Sequence, residues 1–311
     1  MCYNKNMTNK FFKILLLTAV MATCFFGFLY FEASGESFLF FKKQPLSREP
    51  EVEEQDLLEV SFLDIGQGDA TYIRTPEGQD ILIDGGPDKN ILSQLGRVMP
   101  FWDHEIEVMI LTHPHADHVT GLVEVLRRYE VKQIYYPGVL HTSSIYQAWL
   151  DEIKKQNLSL HIVSQPFDMD LRGGIKLKFL YPDQDFANKK VENLNNTSIV
   201  NKLIYQEVSF LLTGDIEKEV EDHLLEKYSG TDILKSNILK LSHHGSSSSN
   251  TEEFLQAVDP EVATICVGRD NDFGHPHGRV LHRLRLLDIP FFRLDQDGLV
   301  KISTDGQDLI Y

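Results

Sequence analysis

The stretch His113-Pro114-His115-Ala116-Asp117-His118 gathers three imidazoles and a carboxylate directly after the apolar run Val108-Met109-Ile110-Leu111. A buried strand that runs out into a loop shows alternate residues to one side. His113 and His115 therefore point the same way while the backbone stays extended. Asp117 and His118 continue round the turn and reach a second point close by. Imidazole and carboxylate at such spacing suit zinc, manganese or iron.

Further groups of this kind recur downstream. Asp215 closes Thr213-Gly214-Asp215 at the end of an apolar strand, where a carboxylate can bridge two cations. The run Ile238-Leu239-Lys240-Leu241 ends in Ser242-His243-His244-Gly245, and either histidine could be a ligand. Asp69, in Gly66-Gln67-Gly68-Asp69, and Asp84, in Asp84-Gly85-Gly86, read as turn residues or as carboxylates that orient the metal-binding imidazoles. Asn195, Asn196 and Ser198 precede the second half's first strand, and His275 stands in Phe273-Gly274-His275-Pro276-His277. His141 and His161 have no partners at ligand spacing and read as surface or core residues.

The elements that must hold these groups are short strands and helices. Leu58–Ile65, Ala70–Arg74 and Ile81–Ile83 read as strands, the last two joined through Thr75-Pro76-Glu77-Gly78. A helix is expected over Val119–Tyr129. Strand-like and helix-like patches alternate through Gln133–Tyr136, Ser143–Gln156, Leu158–Val163 and Ile175–Tyr181. After a polar interval, Ile199–Tyr205 and Val208–Leu212 read as strands, and a helix follows His277 with Arg279, Arg283 and Arg285.

Composition sets the bounds. The chain has 311 residues, a hydrophobic content of 42% and a net charge of −16, so a general nucleic-acid-binding surface is not expected. Arg269, Arg279, Arg283, Arg285 and Arg293 run against that trend, as a local phosphate site or an exposed helix face. Cys2 and Cys24 precede the body and leave Cys266 alone in an apolar run, so no disulfide forms within the body. Lys5, Lys10 and Lys13 precede the uncharged run Ile14–Phe31, which as helix would span roughly 27 Å, close to a bilayer core. Residues 1–35 therefore read as an uncleaved signal anchor, with a cleaved signal peptide as the alternative. Residues 36–56 form a polar linker, and the body, residues 57–311, lies on the extracellular side of the cytoplasmic membrane.

The motif series F-L-D-I-G-Q-G-D, I-D-G-G, H-x-H-x-D-H, N-N-x-S, L-L-T-G-D, L-S-H-H-G-S and G-H-P resembles the metallo-β-lactamase superfamily. Within it, the series is similar to the C-terminal domain of ComEC-type DNA-uptake (competence) proteins and to stand-alone hydrolases such as phosphorylcholine esterases. The resemblance covers roughly 250 residues and implies an α+β fold, a four-layer αββα sandwich, with two divalent metal ions, zinc or manganese. It implies a first metal on His113, His115 and Asp215, and a second on Asp117, His118, Asp215 and His243 or His244, with Asp117 and Asp215 as the catalytic carboxylates. Many members carry a further histidine where this chain has Asn195, Asn196 and Ser198, so water or an amide would complete the first site. Asp69, Asp84 and His275 would support the ligands or the substrate.

Two adjacent cations lower the pKa of a shared water, so that hydroxide is present at neutral pH, and clamp the substrate's oxygens. No nucleophile elbow, P-loop or dinucleotide fingerprint competes with that chemistry. The expected activity is an exported phosphodiesterase acting on DNA or a small phosphodiester. Hydrolysis of a lactam, lactone or ester, or a non-catalytic tethered binding or sensing module, are the alternatives. A single apolar segment cannot form a DNA pore, and no protein partner is identifiable.

Overall fold

Alternation along each strand decides which face meets which layer. In β1 (Leu58–Phe62), Leu58, Val60 and Phe62 turn to one core, and in β4 (Glu105–Ile110) Val108 and Ile110 join them while Met109 turns the other way. The computed structural model describes residues 57–311.

Two runs of elements match in order. The first is β1, β2 (Thr71–Arg74), β3 (Asp80–Ile83), α1 (Asn90–Val98), β4, α2 (Ala116–Leu126), β5 (Glu130–Tyr136), α3 (Ser144–Gln156) and β6 (Ser159–Ile162). The strand β7 (Phe167–Asp170) then pairs with the opening strand of the second run. That run is β8 (Lys176–Tyr181), β9 (Val200–Tyr205), β10 (Val208–Leu212), α4 (Lys218–Lys227), β11 (Ile238–Lys240), α5 (Glu252–Val258), β12 (Val262–Ile265), α6 (Gly278–Leu286) and β13 (Phe291–Arg293). A short α7 (Leu294–Asp297) leads to β14 (Val300–Thr304) and β15 (Leu309–Ile310).

Each run opens with antiparallel pairs and finishes with parallel ones. The eight-stranded sheet is ordered β15-β14-β1-β2-β3-β4-β5-β6, and the seven-stranded sheet β13-β12-β11-β10-β9-β8-β7. In both, the third strand of the run is antiparallel to the second and parallel to the fourth, with a helix in each parallel crossover. One core fills the space between the sheets, with Phe62, Ile81 and Val108 from one side and Phe179, Leu203 and Phe210 from the other. Two outer cores seat helices on the far faces, Trp149 and Leu122 on the first sheet, Phe254 and Leu284 on the second. This is the four-layer αββα sandwich.

Local differences from the sequence reading bear on the site. Helix α2 begins at Ala116 rather than Val119, so Asp117 and His118 occupy its first turn instead of the loop before it. Helix α1 and strand β7 were not expected. The apolar run 14–31 and the linker 36–56 lie outside the described residues. Among the described residues, no helix is long and apolar enough to cross a membrane.

Candidate metal centre

The edge where β3, β4, β10 and β11 end carries the ligand motifs. Past β4, His113 is wholly buried, and its Nε2 lies 2.9 Å from His115 Nδ1, while its Nδ1 lies 3.1 Å from Thr112 Oγ1. His115 caps α2, which turns Asp117 and His118 back toward the same edge. The Asp69 amide donates to the Asp117 carbonyl at 3.3 Å. Gly68, at φ +137°, allows that approach, because a Cβ there would sit 2.1 Å from the Asp117 carbonyl oxygen. His118 Nδ1 is 2.8 Å from Asp84 Oδ2, and Asp84 accepts from the Thr112 amide at 2.8 Å and hydroxyl at 2.7 Å. That leaves His118 Nε2 facing Asp215 Oδ2 at 3.2 Å and Asp117 Oδ2 at 3.8 Å.

The second half meets these groups from β10 and β11. The Asp215 amide donates to Ser198 Oγ at 3.1 Å. Gly214 lies at φ +54°, where a Cβ would come within 2.9 Å of Ser198 Cβ. Past β11, His243, His244 and Gly245 take φ of 49°, 54° and 77°. Left-handed backbone at two consecutive non-glycine residues costs on the order of 1 kcal/mol each and marks a built site. It also sends adjacent imidazoles in different directions. His244 Nε2 lies 3.2 Å from Asp215 Oδ2 and 3.3 Å from Asp117 Oδ2, and its Nδ1 donates to the Cys266 carbonyl at 2.8 Å. His243 stands at the rim, 3.4 Å from Glu217 Oε1 and 3.3 Å from Ser248 Oγ.

Asp117, His118, Asp215 and His244 each place a ligand atom within 4.8 Å of the others, and Asp69, Asp84 and His118 form a second such group behind them. His244 Nε2, Asp215 Oδ1 and Asn195 Oδ1 are buried without a hydrogen-bond partner. This donor set fits a divalent cation. Of the two histidines left open by the sequence, His244 is the one that joins Asp117, His118 and Asp215. The set His113, His115 and Asp215 is looser: His113 Nε2 is 4.0 Å from Asp215 Oδ2. Asn195 Nδ2 contacts both Glu217 Oε1, at 3.0 Å, and His243. Asn196 turns outward, with its side chain on the Glu217 amide and Glu219. His275 meets His243 edge-on and lies tilted beside His244, with ring centroids at 5.5 and 6.3 Å and a buried Nδ1 without a partner. Three of the five arginines considered above are engaged: Arg283 on the Ser249 and Asn250 carbonyls, Arg293 on Asp295, and Arg269 on the Asp295 carbonyl. Arg279 and Arg285 remain exposed on α6.

From the protein's charges alone, burial would push His118 and His244 down, but the carboxylates around them, Asp215 foremost, raise both well above the usual imidazole range. Burial would raise Asp215 and Asp117, yet these same imidazoles hold both carboxylates below theirs. Burial and the neighbouring His118 lower His113 and His115, and burial with His244 and His243 brings His275 to about 4. Two participants were missed in the sequence. Lys240 points at Asp69 and Asp215 from inside an apolar strand, and Glu217 anchors Asn195.

An αββα sandwich with imidazoles and carboxylates converging at one edge defines a class, and the comparisons agree with it. The model of the Metallo-beta-lactamase superfamily matches residues 63–269, and the chain belongs to that superfamily, whose members hold divalent metals, often two. Its curated relatives include ComE operon protein 3 of Bacillus subtilis (strain 168), 29% identical over 78% of this chain and 32% of that protein. Competence protein ComA of Neisseria gonorrhoeae is 27% identical over 83% of this chain and 34% of that protein. Recombination protein 2 of Haemophilus influenzae is 29% identical over 73% of this chain and 26% of that protein. The ComEC-type resemblance therefore holds, and the chain spans about a third of the length of the relatives it matches first. Among solved structures, Igni18, a metallo hydrolase from Ignicoccus hospitalis, shares the fold at a TM-score of 0.50 and 13% identity, over 78% of this chain and 98% of that one.

Proposed function

We propose that the body is a dinuclear metal-dependent hydrolase of the ComEC-like branch, a phosphodiesterase acting on DNA or a small phosphodiester. One observation carries this reading: Asp215 Oδ2 lies 3.2 Å from both His118 Nε2 and His244 Nε2 and 4.0 Å from His113 Nε2. One carboxylate oxygen is thus shared between ligands from the two halves. His113, His115 and Asp215 would hold one cation, and the unpartnered Asn195 Oδ1 is the amide oxygen that could complete it. Asp117, His118, Asp215 and His244 would hold the other. Such a pair supplies an activated water and a clamp for the substrate's oxygens. Asp84 orients the His118 ring and the Cys266 carbonyl orients His244, so both rings keep Nε2 toward Asp215. His243 and His275 line the mouth, where a substrate enters. Relatives named for competence and recombination favour nucleic acid as the substrate.

The purified chain, loaded in turn with zinc and manganese, should cleave DNA or bis(p-nitrophenyl) phosphate with two metals per chain. Turnover of lactams or lactones alone would replace the substrate class. Two bound metals with no turnover of any of these would make the body a binding module. The body is further proposed to sit outside the cytoplasmic membrane, supported by the lysines before 14–31 and the linker after it. Protease added to intact cells should remove it, and survival until lysis would reverse that orientation.

A further inference from the structure

Strand β11 is apolar except at its last residue, Lys240, whose side chain is 3% exposed. Its Nζ donates to the Gly214 carbonyl at 3.0 Å, forms an ion pair with Asp69 Oδ2, and lies 3.8 Å from Asp215 Oδ1. The Asp69 carboxylate against it and the Gly214 carbonyl are the partners that a buried ammonium requires. A buried cation of this kind loses its hydration, so packing alone does not account for a lysine here. Asp215 is split between two environments: Oδ2 faces the imidazoles and Oδ1 faces Lys240.

Charge shows what the lysine changes. With the imidazoles neutral, as ligation requires, Asp69, Asp84, Asp117 and Asp215 bring four negative charges and Lys240 one positive. With the shared water un-ionised, or displaced by an incoming phosphate, two divalent cations would leave this inner cluster at plus one. Without Lys240 they would leave it neutral. Glu217 is left out of this count because it stands at the rim against His243, 19% exposed. Inside the site one unit of charge acts at short range with little screening.

We infer that Lys240 is a specificity-determining residue, which keeps the loaded centre positive and so selects anionic phosphoryl substrates over neutral acyl ones. The inference rests on the dinuclear reading above. It acts through the field of the site, not through contact with the substrate.

The test uses the full chain loaded with two zinc or manganese ions, verified by elemental analysis, and titrated calorimetrically with inorganic phosphate. Lys240→Met should keep two metals and weaken phosphate binding about tenfold. The double variant Lys240→Met/Asp69→Asn removes one charge of each sign and should recover phosphate binding to within about threefold. In parallel, kcat/KM for bis(p-nitrophenyl) phosphate relative to a neutral p-nitrophenyl ester should fall about tenfold in the single variant, mainly through KM, and recover in the double. Unchanged phosphate affinity in Lys240→Met, equal losses on both substrates, or a double variant no better than the single would overturn the inference. Metal loss in both variants would make Lys240 a structural residue and overturn it too. Phosphate binding that behaves as expected without turnover of either substrate would sink the hydrolase reading alone. A wild-type chain that takes up neither metal would sink both.

Discussion

Asp84 and Asp215 occupy matching places in the two halves, each just past the third strand of its run, beside a parallel fourth strand that ends in histidines. Their surroundings differ. Asp84 spends both oxygens on Thr112 and on the Nδ1 of His118, the side facing away from the other ligands. Asp215 turns one oxygen to the Nε2 atoms of His118 and His244 and has no partner hydroxyl. One frame, used twice, yields a carboxylate proposed as support on one side and one proposed as a ligand on the other.

The contrast predicts unequal losses. Asp215→Asn removes the charge shared by both cation sites and should abolish binding of at least one metal. Phosphodiesterase turnover should fall roughly a thousandfold or more, the scale of several kcal/mol of lost stabilisation. Two retained metals with near-normal rates would break the assignment. Asp84→Asn should lower metal affinity by roughly ten- to a hundredfold, with turnover recovering at high metal. If the two variants were equally damaging, the halves would not be divided as described.

The histidine pair sharpens the same division. His244→Ala should leave about one metal per chain by elemental analysis. His243→Ala should keep two and raise KM several-fold, since it stands at the mouth. The reverse pattern would exchange their roles.

Acidity provides a third comparison, between the chelated and the loaded chain. The raised His118 and His244 contribute stability that is fully present below about pH 6.5, their unfolded value, and is lost as pH rises through their folded values. The thermal midpoint of the chelator-treated chain should therefore fall above pH 6.5 by roughly 5 °C, given about 2–4 °C per kcal/mol at this size. The loaded chain, with both rings ligated and neutral, should show little of that fall. A chelated chain that gains stability above pH 6.5 would refute the charge assignment. The smallest effect belongs to Asn195→Ala, which should weaken one metal by a few-fold without changing the stoichiometry, if its unpaired Oδ1 stands in for a histidine.

The motifs His113–His118 and Thr213–Asp215 were legible because ligands adjacent in sequence at strand ends stay adjacent in space. The choice between His243 and His244 was not, because left-handed backbone at both positions breaks the alternation that assigns faces. Lys240 reads as a misfit in an apolar strand until Asp69 arrives from the other half of the chain. Helix α1 has apolar Ile91, Leu95 and Val98 at helical spacing, but Lys89 at its start gives no side-chain cap, so nothing local announces it. Strand β7 alternates Phe167 and Met169 with aspartates at a sheet edge, a weak signal for so short a segment.

Strand β14 carries no ligand, yet it pairs with β1 from Leu58↔Thr304 to Phe62↔Val300, joining nearly the first described residues to the last. During synthesis β1 has only β2 beside it until Val300–Thr304 has emerged, and contacts of such sequence separation close slowly. A nascent chain halted just past residue 269 would hold every proposed metal ligand and still expose β1 as an unpaired sheet edge, open to pairing with other chains. Assembly of the first half thus waits on the end of the second, and the order of translation places the metal ligands in the chain well before the sheet that supports them can close.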